Sequence, residues 1–213
     1  MENSHRDKPS GTTLSSRQAG NIFFVNQKSA VFNAAKPGVH WQDLHSLAEK
    51  TVIEGLLALG VLVGGTVQEL WEKRISYYFM PHGLGHYIGI YTHDLKGDHA
   101  KEDMRKPIEK QSLRVQRILE EGMCLTNEPG CYIIEGLYEE ARQCEDVNKH
   151  FNWEKLDEYR PEIMACRIED NFVVTNDGCE KYTFLPRTVE AIEACYRGEE
   201  WASLNVPDFK FNL

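Results

Sequence analysis

The chain has 213 residues, enough to bury a substantial core as one large domain or a small pair. A formal net charge of −9 argues against nucleic acid as a partner, because phosphate binding needs clustered Lys and Arg. No apolar run approaches the roughly 20 residues that a membrane-spanning helix requires, so no membrane association is expected.

Residues 1–20 are polar, rich in Ser, Thr and Gly, and read as a disordered tail without the apolar stretch of a secretory signal. From Ile22 the pattern turns helical: Ile22, Val25, Ser29 and Phe32 recur at steps of three and four until Lys36-Pro37-Gly38 stops the run. A second helix is expected over Gln42–Leu59, with Leu44, Leu47, Ala48, Leu56 and Leu57 available for an apolar stripe and Gly60 placed to cap it. A shorter third helix is expected from about Thr66 to Lys73. The segment MPHGLGHYIGIYTHD follows at 80–94, then a charged run, KGDHAKEDMRKPIEK, that reads as an exposed loop.

MCLTNEPGCYII contains two short β-like runs separated by Pro129 and Gly130. EGLYEEARQCEDVNKHFNWEKLDEYRPE reads as an amphipathic helical insertion on the surface. CRIEDNFVVT alternates, NDG turns and CEKYTF returns, which is the pattern of a β-hairpin. TVEAIEACYRG closes the chain with a helix capped by Thr188. Helices first and strands later, without regular βαβ alternation, indicate an α+β fold. Cys124, Cys131, Cys144, Cys166, Cys179 and Cys195 include no CxxC pair, so free thiols in a reducing, cytoplasmic compartment are expected.

Three histidines in fifteen positions raise the question of what they hold. His82 and His86 stand four apart, as in zinc-binding HExxH helices, but Gly-Leu-Gly lies between them and no Glu follows the first. Two glycines would cost such a helix about 2 kcal/mol relative to alanine. A tight turn feeding a strand from about His86 to Tyr91 is the better reading, with Gly83 and Gly85 allowing close backbone approach or positive φ. The alternative is that the histidines are buried and hydrogen-bonded for structural reasons alone. Glu128 ends an apolar run at Pro129, where a carboxylate is costly to bury unless it meets a cation. In CRIEDNFVV, alternation sends Arg167, Glu169, Asn171 and Val173 to one face and Ile168, Asp170, Phe172 and Val174 to the other. Each glutamate taken alone also fits a solvated strand position. Taken with a histidine, Glu128 and Glu169 form a donor set suited to a divalent ion such as Mn²⁺ or Zn²⁺.

HGLGH, THD, LTNEPG and RIED, in this order and at these separations, resemble the pita-bread metallopeptidases. AAKPGVHWQDLH, FMPHGLGHYIGIYTHDLKG and FLPRTVEAIEAC narrow the resemblance to the prolidases, the Xaa-Pro dipeptidases, over residues 25–198. The resemblance implies a curved antiparallel sheet with helices on its outer face and a dinuclear metal site of Mn²⁺, with Zn²⁺ or Co²⁺ as alternatives. It assigns His86, Glu128 and Glu169 as metal ligands, Glu128 also as general acid/base, and His82 and His93 as pocket residues that support catalysis. His93, Arg114 and Arg167 correspond to substrate contacts, with Arg114 taking the carboxylate of a C-terminal proline.

One departure stands out. Prolidases carry two aspartate ligands on a strand pair upstream of the KPGV segment, and the only aspartate before Asp43 here is Asp7. Tyr91 and Asn127 also replace residues more usual beside such a site. The expectation is therefore an incomplete pita-bread domain over residues 21–213, lacking its first strand pair. Two cations on two carboxylates and one imidazole would leave about two uncompensated positive charges at close range. A single weakly held ion is expected, with little peptidase activity from this chain alone. The alternative function is a non-catalytic remnant that binds an Xaa-Pro peptide or a partner, either a second copy or a protein supplying the missing half.

Overall fold

The computed structural model describes residues 30–95, 113–161 and 165–204, and the expected tail, the start of the first helix and the charged loop lie outside them. Residues 30–34 are helical, and Val31 and Ala35 are buried. The main helix, α1, covers Trp41–Ala58, one residue earlier than the apolar pattern suggests. Its N-cap is His40, whose Nδ1 accepts a hydrogen bond from the Gln42 amide at 3.1 Å. Its end is a Schellman turn: the Gly60 amide bonds the Leu57 carbonyl, the Val61 amide bonds Leu56, and Gly60 takes φ 71°. Helix α2, Val67–Glu72, is held by a reciprocal capping box between Thr66 and Glu69. A 3₁₀ turn over Ile75–Tyr78 then leads the chain toward the histidine segment.

Glu49 ties these three elements together from inside. Although fully buried, it accepts hydrogen bonds from Trp71 Nε1 at 2.9 Å, Ser76 Oγ at 2.9 Å and Arg74 Nη1 at 3.3 Å. Burying a carboxylate is tolerable only with this many donors around it. Glu49→Ala strands the Arg74 charge and is expected to destabilise the fold by about 3–5 kcal/mol, read as a lower urea midpoint at unchanged slope.

Strands β1 (Cys124–Asn127), β4 (Asp170–Val174) and β5 (Cys179–Lys181) form one antiparallel sheet in the order β1-β4-β5. Strands β2 (Gly130–Tyr132) and β3 (Ala165–Arg167) form a second antiparallel pair. The segment read from sequence as one strand, CRIEDNFVVT, is thus two strands in two sheets. The register nevertheless carries straight through: Asn127 faces Asp170, Gly130 faces Arg167, and Glu128-Pro129 lies opposite Ile168-Glu169. Pro129 has no amide hydrogen to give a ladder, so the regular pairing is interrupted there, although the Ile168 amide still bonds the Pro129 carbonyl at 3.4 Å. Phe172 and Val174 are buried and Asn171 is exposed, as the alternation requires.

Phe172 stacks on Trp41 of α1, with ring centroids 6.3 Å apart, and meets Phe32 edge-on at 5.4 Å. These contacts seat the helices on the sheet. The expected surface insertion is instead part of the core. It breaks into α3 (Glu135–Gln143), α4 (Glu145–Asn148) and α5 (Trp153–Tyr159), which bury Tyr138, Ala141, Val147 and Leu156. Phe151 stacks on Phe79 at 5.4 Å and on Trp153 at 4.6 Å, fixing this layer behind the histidine segment. Helix α6, Val189–Tyr196, starts at Thr188, whose side chain accepts from the Ala191 amide. Just before it, Arg187 Nη2 donates to buried Asp170 at 2.7 Å and to the Thr183 carbonyl at 2.8 Å.

Candidate metal centre

The histidine segment does not form the expected regular strand over His86–Tyr91. Only Tyr87 makes a bridge, to Leu125. The backbone still runs antiparallel beside β1: the Glu128 amide bonds the Leu84 carbonyl, Thr126 bonds His86, and Ile88 bonds Cys124. Gly85 permits this approach, because a Cβ there would stand 2.0 Å from the Thr126 carbonyl oxygen. Its role is close contact rather than positive φ, which occurs at other glycines. The chain then turns back so that the Asp94 amide bonds the Tyr87 carbonyl at 3.1 Å. This loop sets the His93 ring against that of His86, with centroids 4.4 Å apart.

His86, Glu128 and Glu169 come together although they are far apart in sequence. One ligand atom from each lies within 4.8 Å of the others. Glu128 and Glu169 are cross-strand neighbours at the break in the ladder, where two like charges repel. His86 Nδ1 faces the Tyr87 carbonyl at 2.9 Å and serves as the donor to it, which leaves Nε2 turned toward Glu128 Oε1 at 3.3 Å. One imidazole nitrogen and two carboxylates thus converge, and a divalent cation fits that donor set. The peptide carbonyl behind the ring is the usual outer partner of a metal-binding imidazole.

Burial, and then the neighbouring Glu169 charge, raise the Glu128 carboxyl above the usual range, against the opposing pull of Arg167 and His86. Arg167 Nη1 donates to Glu128 Oε2 at 2.6 Å, leaving Oε1 toward His86. Pro81, His82, Gly83, Gly85, His86, His93, Arg114, Glu128 and Arg167 line one cavity of about 260 Å³. His82, His86, His93, Arg114, Glu128 and Arg167 therefore border the same space, and exposed Glu169 joins the ligand set at its edge. Asn127 is buried as the rung partner of Asp170, next in sequence to Glu128, whereas Tyr91 is exposed.

Two further residues hold the site in place. Thr126 Oγ1 accepts from the His86 backbone amide at 3.0 Å and donates to Glu128 Oε1 at 3.1 Å, linking the backbone of one converging residue to the side chain of another. Tyr132 Oη accepts from Arg167 Nε at 2.6 Å, and its ring packs edge-on against His82 at 5.2 Å. Strand alternation from Glu128 points to both, because positions 126, 128, 130 and 132 share a face in an extended run.

His82 is pushed down to about 4, chiefly by burial, with Arg167 and His45 adding to the effect against its bond to Gly83. A histidine whose folded-state value lies below its unfolded one stabilises fully above about pH 6.5 and loses that contribution as pH falls toward 4. His82→Gln is expected to flatten the acid loss of stability across this window, measured as a smaller fall in urea midpoint between about pH 7 and pH 4.

Residues 23–176 match metallopeptidase family M24. The human Xaa-Pro dipeptidase is 43% identical over 175 residues, which is 82% of this chain and 35% of that protein. A probable Xaa-Pro aminopeptidase of Penicillium rubens is 41% identical over 75% of this chain and 33% of its own length. Among solved structures, the aminopeptidase PepP of Pseudomonas aeruginosa superimposes with a TM-score of 0.62 at 29% identity, over 90% of this chain and 36% of that one. Zinc-substituted Escherichia coli aminopeptidase P in complex with product gives a TM-score of 0.56 at 26% identity, over 80% of this chain and 32% of that one. The chain thus spans about a third of the length of the relatives it matches. By sequence and by the arrangement of its helices and antiparallel strands, it belongs to metallopeptidase family M24.

Proposed function

We propose that this chain carries the metal-binding part of a peptidase site for Xaa-Pro peptides, with His86, Glu128 and Glu169 as ligands to one divalent ion. The observation that supports this most directly is the meeting of those three donors within 4.8 Å, in a fold shared with aminopeptidase P. Two carboxylates and one imidazole suit Mn²⁺, with Zn²⁺ and Co²⁺ as the alternatives to be compared. When bound, a divalent cation supplies Lewis acidity toward a peptide carbonyl and toward water.

The protein groups do the rest. Glu128, with its raised carboxyl, accepts a proton from water and returns it to the leaving amine. Arg167 holds the second oxygen of Glu128 and so fixes its orientation. His82 and His93 border the space a peptide would fill, and Arg114, at the cavity wall, offers a fixed positive charge for a terminal carboxylate. The six free thiols suit a reducing, cytoplasmic setting. The fold reading is an incomplete pita-bread domain, with the two antiparallel sheets that share one register across Pro129 belonging to its curved sheet.

Three protein ligands hold an ion more loosely than a site with four carboxylates, and a two-metal clamp needs donors beyond this set. The purified chain with added Mn²⁺ is expected to turn over Gly-Pro at least about 100-fold more slowly than an intact prolidase, since outer partners of a metal site alone are worth 10–100-fold. Turnover near that of the intact enzyme overturns the single-ion reading. Exposed Ile90, Tyr91, Leu95, Phe184 and Leu185 favour a second reading, a peptide- or partner-binding role. Retention of a proline peptide without hydrolysis, independent of metal, is its signature.

A further inference from the structure

Cys131 of β2 and Cys166 of β3 are direct partners across the shorter sheet. Directly opposed residues on an antiparallel pair send their side chains to the same face. The Ile168 amide bonds the Pro129 carbonyl two rungs away, so the alternation of the ladder makes Cys131 and Cys166 a hydrogen-bonded rung. On such a rung the Cα atoms stand about 5.5 Å apart, inside the range a disulfide adopts. Cβ atoms across a sheet are about 4.5–5.5 Å apart, wider than the roughly 3.5–4.5 Å of a relaxed disulfide, so the bond would form under strain and reduce readily. Both thiols are free, half-buried and packed against the core. Simple packing is the usual reason for such a pair. Here, however, Cys131 follows Glu128 by three positions and Cys166 adjoins Arg167, whose guanidinium spans the same two chain segments to reach Glu128.

We propose that Cys131 and Cys166 form a reversible cross-strand disulfide when exposed to a small disulfide oxidant such as oxidised glutathione. One thiol loses its proton and attacks the oxidant, breaking its S–S bond, forming a mixed disulfide and releasing one glutathione thiolate. The second thiolate displaces the other glutathione and closes the protein S–S bond. One oxidant molecule is reduced to two thiols, and the two cysteines lose two electrons and two protons. The bond closes a loop of about 35 residues that holds α3, α4 and α5, which removes freedom from the unfolded chain. Burial pushes Cys131 up to about 12 and Cys166 up to about 11, so the reaction is slow at neutral pH and quickens in alkali. The exposed thiols of Cys144 and Cys195 react sooner.

The test uses the full chain with Cys144→Ser and Cys195→Ser, incubated with excess oxidised glutathione at mildly alkaline pH, then quenched in acid, alkylated and digested without reduction. Fragmentation spectra are expected to link Cys166 to Cys131 rather than to Cys124, which shares the Cys131 tryptic peptide. The melting temperature is expected to rise by about 5–10 °C and to return on adding dithiothreitol. Adding Cys166→Ser should abolish that rise, and the unsubstituted chain mapped in the same way provides the check if the serine variants fold poorly. Stable glutathione adducts at both positions, alkylation of both as free thiols, linkage through Cys124, or an unchanged melting temperature overturns the proposal.

Discussion

Glu169→Gln is expected to weaken Mn²⁺ binding by the purified chain at least about 10-fold, and His86→Ala to weaken it further, both measured by calorimetric titration. The glutamine amide keeps the shape and a carbonyl oxygen but removes the charge that balances a dication. Exposure of Glu169 distinguishes two cases. An exposed carboxylate that served only solubility would leave both stability and metal affinity unmoved when neutralised. A ligand facing Glu128 across a broken ladder changes affinity while stability without metal holds or rises, because a like-charge pair is relieved. His86→Ala also removes the ring that packs on His93, so its effect combines a lost donor with a loosened pocket wall. Equal Mn²⁺ affinity in wild type and both variants would remove the metal centre from consideration.

The meeting of the candidate site's residues was largely legible in sequence because they sit in short words: HGLGH, THD, NEPG and RIED. HGLGH and NEPG place a functional group beside glycine or proline, residues with strong backbone demands, and RIED lies in a strand pattern, so local rules already hint at contact; THD carries no such cue. Partners of partners were harder to read. Thr126 looks like any β-branched strand residue, and its hydroxyl matters only because Gly85 brings a second backbone alongside β1. The same holds for the strands. CRIEDNFVVT reads as one alternating strand apart from Asp170, which falls on its apolar face, and no glycine or proline within it signals a break between Arg167 and Asp170. The break is imposed from the opposite strand by Pro129, a residue far earlier in the chain. The α3–α5 segment was misplaced for a related reason: its charged content suggested a surface insertion, while its apolar side chains Tyr138, Ala141, Val147 and Leu156 are buried, Tyr138 against Phe79 itself. Amphipathic periodicity names the face that is buried, not the depth at which the helix sits.

Gly85→Ala is expected to lower metal affinity at least about 10-fold and to destabilise the fold by about 3 kcal/mol, at the upper end of ordinary overpacking. The added methyl would lie 2.0 Å from the Thr126 carbonyl oxygen and 2.8 Å from both its carbonyl carbon and its Oγ1. Two of those atoms are backbone of a strand paired on its other side with β4, so no rotamer change relieves the clash. The chain at 84–88 must move instead, and with it goes the Thr126 hydroxyl bridge between His86 and Glu128. Gly136 in α3 serves as the control, since a Cβ there meets nothing within 4 Å. Gly136→Ala is expected to be neutral or stabilising by up to about 1 kcal/mol, through helix propensity and a more restricted unfolded chain. Metal titration and urea unfolding on the two variants separate a site-forming glycine from a replaceable one. If Gly85→Ala binds Mn²⁺ like the wild type, the close approach of the histidine segment to β1 does not position His86, and the three donors His86, Glu128 and Glu169 do not depend on that contact.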